Sequence, residues 1–221
     1  VGPDAKAAGI NATAIGAGTK ADGNDATALG NNAQAIGKYS TAVGNLAKAN
    51  EKYSTALGYE ATAEGLRSTA IGMKALVKGA GATDSFAIGN GTEVTGAYSV
   101  ALGQEAKVNG SYSSAVGYMA KAKSSGSVAI GTEAETSGAN SAALGNHAKA
   151  SGSESLALGN AAEASGLASN AIGYEAKTTA QNATAIGSNA QAYSRSGIAM
   201  GSNAEAGNLG SEEILVQAVA I

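Results

Sequence analysis

Small apolar, large apolar and glycine positions recur along this chain as the word Ala-Φ-Gly, where Φ is a larger aliphatic residue. Φ is Ile15, Leu29, Val43, Leu57, Ile71, Ile88, Leu102, Val116, Ile130, Leu144, Leu158, Ile172, Ile186 and Met200. Every step is fourteen residues except Ile71 to Ile88, which is seventeen. The consensus is S-x-A-Φ-G-x-x-A-x-A-x-G-x-x. A short fixed period of this kind signals a repeat architecture and outranks local propensity. Within each period the pattern alternates with period two between glycine-containing turns, which predicts strand, turn, strand, turn. The unit also divides into two similar sevens, most plainly where Ala33-Gln34-Ala35-Ile36-Gly37 brings an Ile and a Gly into the second half. The expected fold is all-β: a parallel β-roll, or β-solenoid, of 14-residue coils with two short strands each. Stacking pairs each coil's backbone with the next, so a chain with little core can still order itself. Glycine at the turns is expected to supply positive φ at no steric cost.

Parity along the strands assigns faces. The middle column of the second strand runs Lys6, Lys20, Gln34, Lys48, Thr62, Leu76, Glu93, Lys107, Lys121, Glu135, Lys149, Glu163, Lys177, Gln191 and Glu205. That column must meet water, so its Ala neighbours point inward. From Glu135 to Lys177 the signs alternate, and stacked neighbours are close enough to pair. By the seven-residue symmetry the Ser and Ala columns of the first strand also point inward, which makes the interior thin. Φ then points outward, as does the column two residues before it: Thr13, Thr27, Thr41, Thr55, Thr69, Phe86, Val100 and onward to Ile198. A soluble monomer rarely exposes so long an apolar stripe. The fourteen Φ residues are therefore the expected interface of a closed symmetric oligomer. The competing placement has Φ filling the interior of the roll.

Composition narrows the function classes. The 221 residues carry 32 Gly, one Pro, one Phe, no Trp, no Cys and a net charge of −3. So few large apolar side chains cannot build an ordinary globular core, yet the strict pattern and 44% hydrophobic content argue against disorder. The charge balance gives no reason to expect nucleic acid. Without Cys there are no disulfides or thiolate metal sites. His147 is the single histidine, with no second His beside it, so neither a metal site nor a Ser-His-acid arrangement is expected. No cofactor and no catalysis are expected. No apolar run is long enough for a membrane-spanning helix, and the start of the chain shows no signal pattern. Val1-Gly2 reads as the tail of a repeat, so a fragment of a longer protein is expected.

The stretches NSAALGNHAKASGS, SSGSVAIGTEAETSG and STALGYEATAEGLRSTAIG resemble the head repeats of trimeric autotransporter adhesins, the YadA-like head family. The resemblance covers nearly the whole chain. It implies a left-handed β-roll, a homotrimer, and display on the surface of a Gram-negative bacterium through an outer-membrane anchor absent from this sequence. It further implies attachment to host extracellular matrix proteins or cell-surface receptors, and adhesion to other bacterial cells. The family's stalk and neck motif are not recognisable here.

Departures from the repeat are where individuality is expected. Three extra residues interrupt the period within Gly79–Asp84 (GAGATD). The repeat is assigned to 1–207, with an irregular insertion or transition over 208–221 and the pattern resuming at Val219-Ala220-Ile221. Tyr39, Tyr53, Tyr98 and Tyr112 gather at one turn, and with Lys107 and Lys121 they are the candidate ligand-facing surface. Tyr59, Tyr118 and Tyr174 sit just past the first glycine. Asn11 and Asn182 begin glycosylation-type sequons, which carry little weight here. A surface adhesin head is the leading reading. An ice-binding solenoid, resting on the Thr13–Thr69 column, is the alternative.

Overall fold

The computed structural model describes residues 2–207 and 219–220. Val1, 208–218 and Ile221, and with them the irregular segment expected before Val219, lie outside the described residues. Among the described residues every regular element is a strand of two or three residues. The chain comprises two compact units, Val1–Tyr112 and Ser113–Ile221.

In the first unit one sheet runs from Lys6–Ala7 to Lys107–Val108 and the other from Thr13–Ile15 to Val100–Leu102. In the second unit one sheet runs from Ser114–Val116 to Val219–Ala220 and the other from Lys121–Ala122 to Glu205–Ala206. Within each unit the strands pair in parallel with their counterparts one coil on, like position against like, as in Thr27 with Thr41 and Leu29 with Val43. The seventeen-residue step does not disturb this register. Thr69 lies opposite Phe86, Ile71 opposite Ile88 and Leu76 opposite Glu93, so the extra residues are taken up in a turn. Ile198 pairs with Val219 and Ala199 with Ala220 across the twenty-one-residue step.

The turns are hydrogen-bonded from coil to coil as well as within themselves. Tyr39 N–H donates to Asn24 O (2.9 Å) and Asn32 N–H to Ala17 O (2.8 Å), each one coil back. Within a turn Ser40 N–H donates to Gly37 O (3.2 Å). This accounting leaves few backbone groups to be solvated at a cost.

The space between the sheets holds small side chains only. Ala28, Ala33, Ala35 and Ala42 are wholly buried. The Ser column is buried beside them, and several of its hydroxyls donate to turn carbonyls three residues back, as Ser54 Oγ does to Glu51 O and Ser141 Oγ to Gly138 O, both at 2.6 Å; Ser85 and Ser99 reach carbonyls of the next coil instead, and Ser40 Oγ has no partner among the described residues. Three consecutive coils of the first unit substitute Val77, Val94 and Val108 for Ala. In the second unit Thr136 and Thr178 replace it, each bonded to a buried Ser hydroxyl, Ser127 (3.0 Å) and Ser169 (2.9 Å).

This parity decides the placement of Φ. Ala56 and Ala157 are at 0% exposure, while the adjacent Leu57 and Leu158 are at 44% and 42%. Φ therefore lies outside the roll, because two sheets held apart by Ala and Ser leave no room for Leu or Ile between them.

The glycine expectation needs correction. Gly30, Gly44 and Gly145 do adopt positive φ (131°, 134° and 142°). At the other turn, Gly152 is required by space instead: a Cβ there would run into the backbone carbonyl of Gly166 in the next coil. At both turns the residue two past the glycine position is left-handed, such as Asn32 (φ 54°) and Tyr39 (φ 60°). This is the third position of a turn with positive φ, as in type II turns. Asn and Asp tolerate it best, and the chain uses Asn11, Asp25, Asn140 and Asn182 there.

Candidate interaction surface

The outer face of the three-residue strands carries two columns, Φ and the position two before it. Ile15, Leu29, Leu102, Ile130 and Met200 are exposed, and Val43, Ile71, Ile88, Val116, Leu144, Ile172 and Ile186 are half-buried by their stacked neighbours. Beside them Phe86 and Ile198 are exposed. Parallel in-register stacking is what aligns these side chains into a stripe, since each strand contributes the same position.

The tyrosines lie elsewhere, on a turn edge. Tyr39 and Tyr53 stack with ring centroids 5.0 Å apart and planes 5° apart, and Tyr98 and Tyr112 at 5.1 Å and 9°. Each ring is one coil from its mate, so the stack repeats the coil spacing. Lys38 Nζ stands 4.7 Å from the Tyr39 ring centre and Lys52 Nζ 4.8 Å from that of Tyr53, cation–π contacts not foreseen from sequence. The same turn column holds Arg67 and Asp84 between the two stacks. Arg67 Nε–H donates to Asp84 Oδ1 and Nη2–H to Oδ2, both at 2.6 Å. The Arg67 guanidinium holds the Asp84 carboxyl below its ordinary pKa. Next to this pair Glu64 Oε2 accepts from Gly79 N–H (2.8 Å), which ties down the start of the three-residue extension.

Tyr59, Tyr118 and Tyr174 occupy the opposite turn. The carboxylates of Glu60 and Glu175 push the phenols of Tyr59 and Tyr174 up.

Lys107 and Lys121 are not brought to the tyrosine edge; they stand on the outer face of the two-residue strands. Lys107 Nζ lies 3.7 Å from Glu93 Oε2. Lys121 lines a shallow depression of about 330 Å³ with Glu133, Glu135, His147, Lys149 and Glu163. Of the alternating charges from Glu135 to Lys177, Glu163 and Lys177 pair at 2.9 Å, and Lys177 holds the Glu163 carboxyl below its ordinary pKa. Glu135 is drawn to Lys123 at the strand end instead. His147 Nδ1 lies 3.4 Å from Glu133 Oε2, one coil back at the same turn. Among the described residues no His, Asp and Glu side chains gather to hold a metal ion.

Arg67 and Asp84 escaped notice because the seventeen-residue step breaks simple counting. Counting from Φ rather than along the chain would have aligned them.

The model of the YadA head domain repeat, which spans two copies, matches residues 1–19, 7–33, 21–47, 35–61, 49–75, 80–106, 109–134, 137–162, 164–190 and 179–204. No curated protein matches the chain. Fourteen-residue coils of two parallel strands and a repeat match over most of the sequence lead to one family. The chain belongs to the YadA head repeats, the adhesin-type heads of trimeric autotransporters.

Proposed function

We propose that the chain is the non-catalytic head of a surface adhesin. It assembles as a homotrimer through the Φ face, and the surface left outside binds host extracellular matrix proteins or cell-surface receptors and other bacterial cells. The full protein is held in the outer membrane of a Gram-negative bacterium. The observation that carries the reading is the apolar Φ stripe, which stands outside a roll already filled by Ala and Ser.

Fully burying a Leu or Ile side chain contributes roughly 1.5–3 kcal/mol, so covering half-exposed ones adds about 1 kcal/mol each. Fourteen such residues per chain make on the order of 10 kcal/mol, comparable with the roughly 4–15 kcal/mol that association costs. A closed threefold arrangement covers the stripe on every chain at once.

Sedimentation equilibrium tests the assembly: three times the chain mass supports it, and a clean monomer overturns it. Binding to immobilised collagens, fibronectin, laminin and whole cells tests the adhesive role. The ice-binding alternative draws on the outward Thr13, Thr27, Thr41, Thr55 and Thr69 column. That column breaks at Phe86 and Val100, where a lattice-matching face would need Thr; an absence of thermal hysteresis would dismiss it.

A further inference from the structure

The left-handed turn column of the first unit begins with Asn11 and Asp25, and its next six coils are complementary to their own reversal. In successive coils it presents Tyr39, Tyr53, Arg67, Asp84, Tyr98 and Tyr112. Two tyrosines are followed by a cation, an anion and two more tyrosines. A twofold axis through the midpoint of Arg67 and Asp84, perpendicular to the edge, sends Tyr39 onto Tyr112, Tyr53 onto Tyr98 and Arg67 onto Asp84. We propose that this edge docks antiparallel on the same edge of a second copy of the chain, about that axis.

Two observations carry the proposal. First, the ring stacks stay open to solvent after their own stacking: Tyr98 is 51% exposed and Tyr112 69%. Their planes are nearly parallel within each pair, so each stack offers a flat row of edges to a partner. Aromatic residues paired across an interface are the usual anchors of protein contacts. Second, the charges are complementary under the twofold. Arg67 of one copy faces Asp84 of the other, so the two intrachain pairs merge into a four-membered network. The neighbouring column obeys the same operator without conflict: Lys38 falls opposite Ser111, Lys52 opposite Ala97 and Leu66 opposite Thr83, so no like charges meet. An isologous contact demands this self-complementarity, which an unrelated partner would not require.

The extension beside the axis suits close approach, since Gly79-Ala80-Gly81 carries almost no side chain and Gly81 has open space around its Cα. Six coils give a strip roughly 24 Å long at about 4.8 Å per coil. One such contact is smaller than a standard interface and therefore weak. Its strength comes from arrays: heads displayed many at a time multiply a weak contact by avidity. Heads on two facing surfaces meet antiparallel, the orientation the twofold requires.

The inference rests on the adhesin-head reading only in requiring the edge to stay free when the Φ face is covered. Sedimentation velocity over a concentration series tests both separately. The mass at low concentration reports the basic assembly, and growth beyond it reports edge docking. Arg67→Asp and Asp84→Arg should each weaken self-association by at least about tenfold, since each sets like charges across the axis. Mixing the two variants should restore association, because one then brings two anions to the axis and the other two cations. The double variant should associate like the parent. Thermal melts of each variant check that the coils stay folded. The proposal is overturned if the parent never grows beyond its basic assembly, if the single variants associate as well as the parent, or if their mixture does no better than either alone. It is also overturned if Tyr98→Ser reduces the basic assembly, which would put the edge inside it.

Discussion

Arg67 and Asp84 form a two-pronged ion pair, 2.6 Å at each contact, between coils separated by seventeen residues rather than fourteen. The pair spans the one place where the period of the first unit is broken. It occupies the column that holds stacked tyrosines on either side, and the ring spacing of about one coil is the spacing that lets guanidinium and carboxylate meet fork to fork.

This pair gives acid sensitivity of a definite sign. Hydrogen bonding to Arg67 depresses the Asp84 carboxyl below its ordinary value. A depressed carboxyl stabilises the folded state above the ordinary carboxylate range, and that contribution is lost as pH falls through the folded value. The pair is well exposed, so the effect is small. Asp84→Asn should melt about 1–3 °C below the parent near pH 7. The gap should close as the pH is taken down through the depressed folded value of Asp84, below the ordinary carboxylate range. A gap that stayed constant over the whole range would mean that Asp84 titrates without influence on folding.

Leu144→Glu and Lys149→Glu separate the two outer faces. Leu144 is a Φ residue and Lys149 stands on the charged face. The first substitution should dissociate the assembly, since an uncompensated charge in a covered apolar face costs several kcal/mol. The second should leave the mass unchanged. Equal effects by sedimentation would mean that the Φ face is not the interface.

Ala157 and Leu158 are adjacent with opposite requirements. Ala157→Leu forces three carbons between sheets that hold only small residues, and should cost about 1–3 kcal/mol or more in denaturant unfolding. Leu158→Ala leaves the roll interior untouched and should act mainly on assembly. A variant of Ala157 as stable as the parent would contradict the thin interior.

Gly152→Ala and Gly81→Ala differ by what the new methyl meets. At Gly152 it strikes the backbone carbonyl of Gly166, which can yield only if the coils separate; at Gly81 it meets open space. The first should lower stability by about 2 kcal/mol or more, the scale of a severe core defect. The second should stay within about 0.5 kcal/mol of the parent. Similar melting temperatures for the two would argue against close stacking at that turn.

The period, the two short strands per coil and the inward Ala and Ser columns were legible in the order of residues alone. A strand has a period of two, so a single charged column, such as Lys107, Lys121 and Glu135, assigns both sides of its strand. The seven-residue similarity of the half-coils carried that assignment to the other strand. Two placements of Leu144 and its fellows nonetheless stayed open, because parity orders neighbours without measuring the space between sheets. Tertiary structure decided it: sheets in contact through Ala143 and Ser141 leave no volume for Leu. The fork between Arg67 and Asp84 and the approach of Lys38 to the Tyr39 ring were equally beyond sequence. Both depend on where long side chains go once the coils are stacked, and a short repeat fixes the position of a Cβ but not the reach of the side chain beyond it.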